Sequence, residues 1–92
     1  GVNPQVVNVT TTPKDNDTKV TYEADVIVQS RPSEAYEEYI ELLENTDWHI
    51  TARYVDDTRA SIVAIRSDRT LILSFKSAGR NTALRIAYTV PQ

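Results

Sequence analysis

Residues 33–48 read SEAYEEYIELLENTDW, and this stretch decides the fold. Its apolar residues recur at intervals of three and four, which is the spacing of one face of an α-helix. Those apolar residues are Ala35, Tyr36, Tyr39, Ile40, Leu42 and Leu43. The opposite side carries Glu34, Glu37, Glu38, Glu41 and Glu44. Pro32 and Glu34 suit a first turn, because proline is tolerated there and the helix dipole favours negative charge. The stretch therefore predicts an amphipathic helix from about Glu34 to Asn45, with one acidic face.

Upstream of this helix, Lys19 to Gln29 alternates apolar and polar residues with a period of two, which predicts a β-strand. Residues 1–18 have a different character. Gln5 to Thr11 predicts a short N-terminal edge strand, and Pro13 to Asp17 predicts a loop, because proline, aspartate and asparagine favour turns. We therefore divide the chain into an arm with an edge strand and loop at 1–18 and a single domain at 19–92.

Downstream of Trp48 the two-residue period continues to the end of the chain. Four strands are predicted, at residues 50–55, 59–67, 71–76 and 82–90, with short turns between them. Short connections make consecutive strands antiparallel neighbours. The predicted fold class is a two-layer α+β domain, in which one amphipathic helix packs on one face of an antiparallel sheet. Its order is strand, helix and four-strand meander, with Tyr36, Tyr39, Ile40 and Leu43 against the sheet.

Composition excludes several classes of protein. The chain of 92 residues has a formal net charge of −3, which argues against a dedicated nucleic-acid binder. No apolar run approaches the length of a transmembrane segment. The chain has no cysteine, so zinc–thiolate sites, iron–sulfur clusters and cysteine nucleophiles are ruled out. We expect neither nucleic acid as a partner nor a transmembrane segment.

No motif in the sequence predicts catalysis, a cofactor or a metal. His49 is the only histidine, and Gly1 and Gly79 are the only glycines, too few for a phosphate-binding loop. The acidic runs at 15–17 and 56–57 lack the ligands with which a calcium loop continues. The helix glutamates lie on a solvated face, which offers little of the burial that acid–base catalysis requires of a carboxylate. We therefore expect no enzyme activity, no catalytic residue, no cofactor and no metal site.

Tyr36, Tyr39, Leu43 and Trp48 carry a resemblance to a known class of domains. The stretch from Pro32 to Thr89 resembles small exported or lipoprotein-type bacterial domains of unknown function. In those domains a helix with spaced aromatic residues ends at a tryptophan, and an antiparallel meander follows. The resemblance implies the fold and an extracytoplasmic location, in the periplasm or at the cell surface. It implies no site.

Charge is distributed unevenly along the chain. Residues 1–50 hold three basic and ten acidic residues, a net charge of −7, whereas residues 51–92 hold seven basic and three acidic residues, a net charge of +4. Strand alternation predicts a basic, partly apolar sheet face opposite the helix. The candidate interaction face consists of Arg53, Val55, Ile72, Lys76 and Arg85.

These patterns favour a non-catalytic module of the cell envelope. The first hypothesis is a protein-interaction or structural module that uses the basic sheet face to bind a protein partner or a second copy of itself. An anionic membrane surface is another partner that this face would suit. The alternative is a carrier of a small apolar ligand or lipid, of the helix-grip type. A carrier needs a cavity between the helix and the sheet.

Overall fold

A computed structural model of the chain describes the backbone of residues 5–13 and all of residues 19–91. The elements are β1 (Gln5–Pro13), β2 (Lys19–Val28), α1 (Pro32–Glu44), β3 (His49–Val55), β4 (Arg59–Arg66), β5 (Arg69–Ala78) and β6 (Asn81–Pro91). The predicted two-layer α+β class is confirmed, with the helix on one face of an antiparallel sheet and the meander after it. The N-terminal edge strand is also confirmed. Apart from Pro13, the predicted loop that follows it lies outside the described residues.

The six strands form a single sheet in the order β1-β2-β6-β5-β4-β3. The last strand, β6, pairs with the whole length of β2, from Lys19 opposite Pro91 to Val28 opposite Thr82. The helix carries the chain from β2 across to the far edge of the sheet, where the meander starts with β3. The pairing of β6 with β2 then joins the meander to the two N-terminal strands in one sheet. The edges of the sheet are therefore β1 and β3, and the meander lies under α1.

The core lies between α1 and one face of the sheet. Its buried apolar residues are Val26, Val28, Ala35, Leu43, Ala60, Ile62, Ala64, Leu73, Phe75 and Leu84. Tyr36, Tyr39 and Ile40 pack against them, which with Leu43 confirms the predicted contact face of the helix. Leu42 does not join them, because its position on the helix turns it outward, and 60% of its surface is exposed.

The main polar group in this interior is the side chain of Thr82, which is fully buried. Its hydroxyl donates a hydrogen bond of 2.8 Å to the carbonyl oxygen of Ser30, just before α1 begins. A buried hydroxyl without a partner would be unfavourable, and this bond removes that penalty. It also ties the start of the helix to the end of the sheet at which β6 begins.

A β-bulge interrupts the edge strand β3. Ile50 lies opposite Ala64 of β4, but the next pair is Ala52 opposite Val63, so Thr51 is an extra residue. One extra residue reverses the side of the sheet to which every later residue in the strand points. The simple alternation read from the sequence therefore fails beyond this position.

The bulge corrects the predicted position of two residues of the candidate interaction face. Arg53 lies opposite Ile62, and Val55 lies opposite Ala60. Because directly opposite residues point to the same side of an antiparallel pair, and Ile62 and Ala60 are core residues, Arg53 and Val55 lie on the helix side. The prediction that they belong to the opposite face is wrong.

Candidate functional site: the open sheet face

We call the side of the sheet opposite α1 the open face. Strand pairing arranges its side chains in rows across β3, β4, β5 and β6. One row holds Arg59, Lys76 and Ala83; the next holds Tyr54, Ser61, Ser74 and Arg85; a third holds Ala52, Val63, Ile72 and Ala87; a fourth holds Ile65, Thr70 and Thr89. Of the predicted interaction residues, Ile72, Lys76 and Arg85 lie on this face.

Arg85 is electrically neutralised within the sheet. Its Nε donates to one oxygen of Asp25 at 2.9 Å, and a terminal nitrogen donates to the other oxygen at 3.2 Å. A second ion pair joins Arg85 to Glu23 at 3.6 Å. The hydrogen bond with Asp25, and then the charge of that carboxylate, raise the pKa of Arg85 above its usual value. This arginine is therefore occupied by β2 and contributes little positive charge to a partner.

Arg59 and Lys76 have a different environment. They lie directly opposite each other on β4 and β5, and both are exposed. Within residues 19–91 neither forms an ion pair with a carboxylate. Like charges placed directly opposite in a sheet repel each other and weaken the pairing. The open face thus holds an uncompensated pair of cations one row away from the compensated Arg85.

These two cations border a surface groove of about 520 Å³. Its lining includes the side-chain positions of Tyr54, Arg59, Ser61, Ser74 and Lys76, which we call the basic groove. Two side chains in it are cationic, and three carry hydroxyl groups, of which that of Tyr54 already donates to Asp56. Guanidinium, ammonium and serine hydroxyl groups donate hydrogen bonds to oxyanions, so the groove has the chemistry to bind carboxylates.

One carboxylate, that of Asp56, lies beside the basic groove in the turn between β3 and β4. It accepts hydrogen bonds from the hydroxyl of Tyr54 and from the backbone N–H groups of Thr58 and Arg59, the last two at 2.8 Å. The Tyr54 hydroxyl, followed by these two N–H groups, lowers the pKa of Asp56 to about 2. Its oxygens are engaged by the turn itself, and it forms no ion pair with Arg59 in the described part of the chain.

An apolar strip adjoins the basic groove. Val63 is half-buried, and Ile65 and Ile72 each leave 39% of their surface exposed. Ile72 lies directly opposite Val63, so the side chains form a continuous patch on β4 and β5. The open face thus offers a partner protein apolar contact at one end and ion pairing at the other.

Arg53 belongs to a separate surface. It lines a second groove, of about 440 Å³, together with Glu44 and Trp48 at the β3 edge. Sequence reasoning thus overlooked Arg59 in favour of Arg53. Residues an odd number of positions apart in a strand point to opposite sides of the sheet. Arg59 is three positions from the buried Ile62, so alternation along β4 would have placed Arg59 on the open face.

Two further observations concern metals and membranes. Among the described residues no three His, Cys, Asp or Glu side chains come close enough together to hold a metal ion. The same part of the chain contains no helix with the length and apolar character that crossing a bilayer requires.

Comparison with known proteins found no matching family model, no similar curated protein and no similar solved structure.

Proposed function

We propose that this chain is a non-catalytic protein-interaction module, located outside the cytoplasm, whose open face binds an acidic surface of a partner protein. The observation that carries the proposal is the uncompensated Arg59–Lys76 pair, two rows along the open face from the half-buried Val63 and the exposed Ile72. Carboxylates from a partner would relieve the repulsion between the two cations and would bind by charge-assisted hydrogen bonds.

The packing of the helix favours this function over an apolar-ligand carrier. The rings of Tyr39 on α1 and Phe75 on β5 are in contact, with centroids 5.7 Å apart. Ala35 and Ile62 are fully buried on the two sides of the same interface. A helix that approaches the sheet this closely fills the volume in which a helix-grip carrier holds its ligand.

The extracytoplasmic location has a separate basis. It rests on the resemblance of Pro32 to Thr89 to exported bacterial domains. Fractionation of cells that produce the native gene product tests it directly: recovery with the periplasm or the envelope supports the location, and recovery with the cytoplasm refutes it.

Binding of a short polyglutamate peptide at low salt tests the proposed function. We expect the double variant Arg59→Glu, Lys76→Glu to raise the dissociation constant by about tenfold or more. Each substitution replaces an exposed attraction of a few tenths of a kcal/mol with a repulsion of similar size. The two substitutions together therefore cost about 1.4 kcal/mol of binding free energy, which corresponds to a tenfold change in the dissociation constant. Isothermal titration calorimetry at several salt concentrations measures the effect, which should shrink as salt screens the charges.

The matched control is the double variant Arg53→Glu, Arg80→Glu, which makes the same change in net charge away from the basic groove. We expect it to bind polyglutamate nearly as tightly as the wild type. Equal weakening in both variants would mean that net charge alone governs binding, and the open face would then not be the interaction site.

A further inference from the structure

The outer surface of α1 carries the complement of the open face. Glu34, Glu37, Glu38, Glu41 and Glu44 are all exposed, and in the described part of the chain none of them forms an ion pair. We call these five residues the acidic helix face. The helix has no basic residue in its last turn. Acidic residues there oppose the helix dipole, and glutamates four apart repel each other.

An apolar side chain adjoins these charges. Leu42 is 60% exposed and lines a shallow groove of about 320 Å³ with Glu38 and Glu41. The open face has the reverse arrangement, because the exposed Ile72 lies on the same face as two cations, one row beyond Ser61 and Ser74. Both surfaces therefore pair uncompensated charge of one sign with exposed apolar area, and the two signs are opposite.

The dimensions of the two surfaces also agree. At 1.5 Å per residue, α1 is about 20 Å long. The open face of β4 from Arg59 to Ile65 covers about the same length, at roughly 3.3 Å per residue. A helix about 10 Å wide covers about two strands, which are spaced roughly 4.8 Å apart, so it would lie over β4 and β5.

From this complementarity we infer that the partner of the open face is a second copy of this chain, bound through its acidic helix face. This inference rests on the proposed function, because it assigns the occupant of the same face. The two surfaces lie on opposite sides of a two-layer domain, so the contact is head-to-tail. A contact of that kind leaves one free surface at each end and adds further copies until a ring closes or a filament forms.

Sedimentation velocity of the 92-residue chain over a range of concentrations tests the inference. We expect the average mass of the wild type to rise beyond that of a dimer at low salt and to fall toward that of a monomer at high salt. Two variants should each remain monomeric under the same low-salt conditions: Arg59→Glu, Lys76→Glu on the sheet, and Glu38→Lys, Glu41→Lys on the helix.

An equimolar mixture of the two variants should associate again. The acidic helix face of the sheet variant is unchanged and can bind the unchanged open face of the helix variant. The reversed open face of the sheet variant is acidic and can bind the lysines on the reversed helix face of the other variant. Charge complementarity is therefore restored at every contact. Restored association is specific to head-to-tail pairing of these two surfaces. The inference is overturned if the mixture stays monomeric, if either variant alone assembles like the wild type, or if the wild type is monomeric at every concentration.

The polyglutamate measurement separates this inference from the proposed function. A monomeric wild type that binds polyglutamate through Arg59 and Lys76 would overturn the second copy as the partner and leave the proposed function in place. A sheet variant that binds polyglutamate as tightly as the wild type would overturn the proposed function itself, and with it the inference.

Discussion

Replacing Phe75 with alanine is expected to lower the free energy of unfolding by about 3–5 kcal/mol. Phe75 is 2% exposed, and its ring contacts Tyr39 on α1 across the helix–sheet interface. Removal of the ring leaves a cavity at the point where the two layers meet, and a close-packed interior fills such a cavity only in part. Urea unfolding followed by circular dichroism measures the change.

Ile72→Ala is the matched control on the same strand. Ile72 is three residues from Phe75 but lies on the open face, where 39% of its surface is already exposed. We expect a loss of at most about 1 kcal/mol, mostly from weaker β-propensity. If the two substitutions destabilised the fold equally, the side of the sheet covered by α1 would be assigned wrongly.

The second large effect is expected on the helix, where Leu43→Ala should lower the free energy of unfolding by about 2–5 kcal/mol. Leu43 is 8% exposed and belongs to the core cluster. Its truncation removes apolar contact from the surface that holds α1 on the sheet. Thermal or urea denaturation of the purified variant measures the loss.

Its neighbour provides the comparison. Leu42 has the same side chain one position earlier, but 60% of its surface is exposed. Leu42→Ala should change stability by about 0.5 kcal/mol or less, because alanine also favours helix formation. A larger loss at Leu42 than at Leu43 would show that the helix is rotated from the orientation described here.

The sequence predicts the helix and every strand of the meander because hydrophobic periodicity records which side chains face the core. The helix shows the limit of that signal. Leu42 is apolar and adjacent to Leu43, so the sequence pattern assigns both to the buried stripe. The structure separates them, because consecutive helical residues point in directions about 100° apart and, among the described elements, α1 contacts only one face of the sheet.

The bulge at Thr51 has no comparable signal in the sequence. Threonine suits a regular strand as well as a bulge, and residues 50–55 alternate convincingly without one. The register is set by the pairing of β3 with β4, which places Arg53 opposite Ile62. Sequence reasoning therefore assigned Arg53 to the wrong face, although the strand itself was predicted to within one residue of its observed bounds.

The neutralisation of Arg85 could not be predicted for a similar reason. Its partner Asp25 is 60 residues away in the chain, and the two meet only because β6 pairs with β2. Without that pairing, Arg85 appears as available as Arg59 or Lys76. Which cations of the open face remain free is thus a property of the strand order rather than of the composition.

We propose that this domain binds an acidic partner at the open face, through Arg59 and Lys76. Amide chemical-shift mapping by NMR during titration of the ¹⁵N-labelled chain with polyglutamate is the decisive experiment. We expect the largest shifts to cluster on β4 and β5 around Arg59, Ser61, Ser74 and Lys76. Largest shifts around Arg31, Arg53 or Arg80, with the basic groove unchanged, would contradict it.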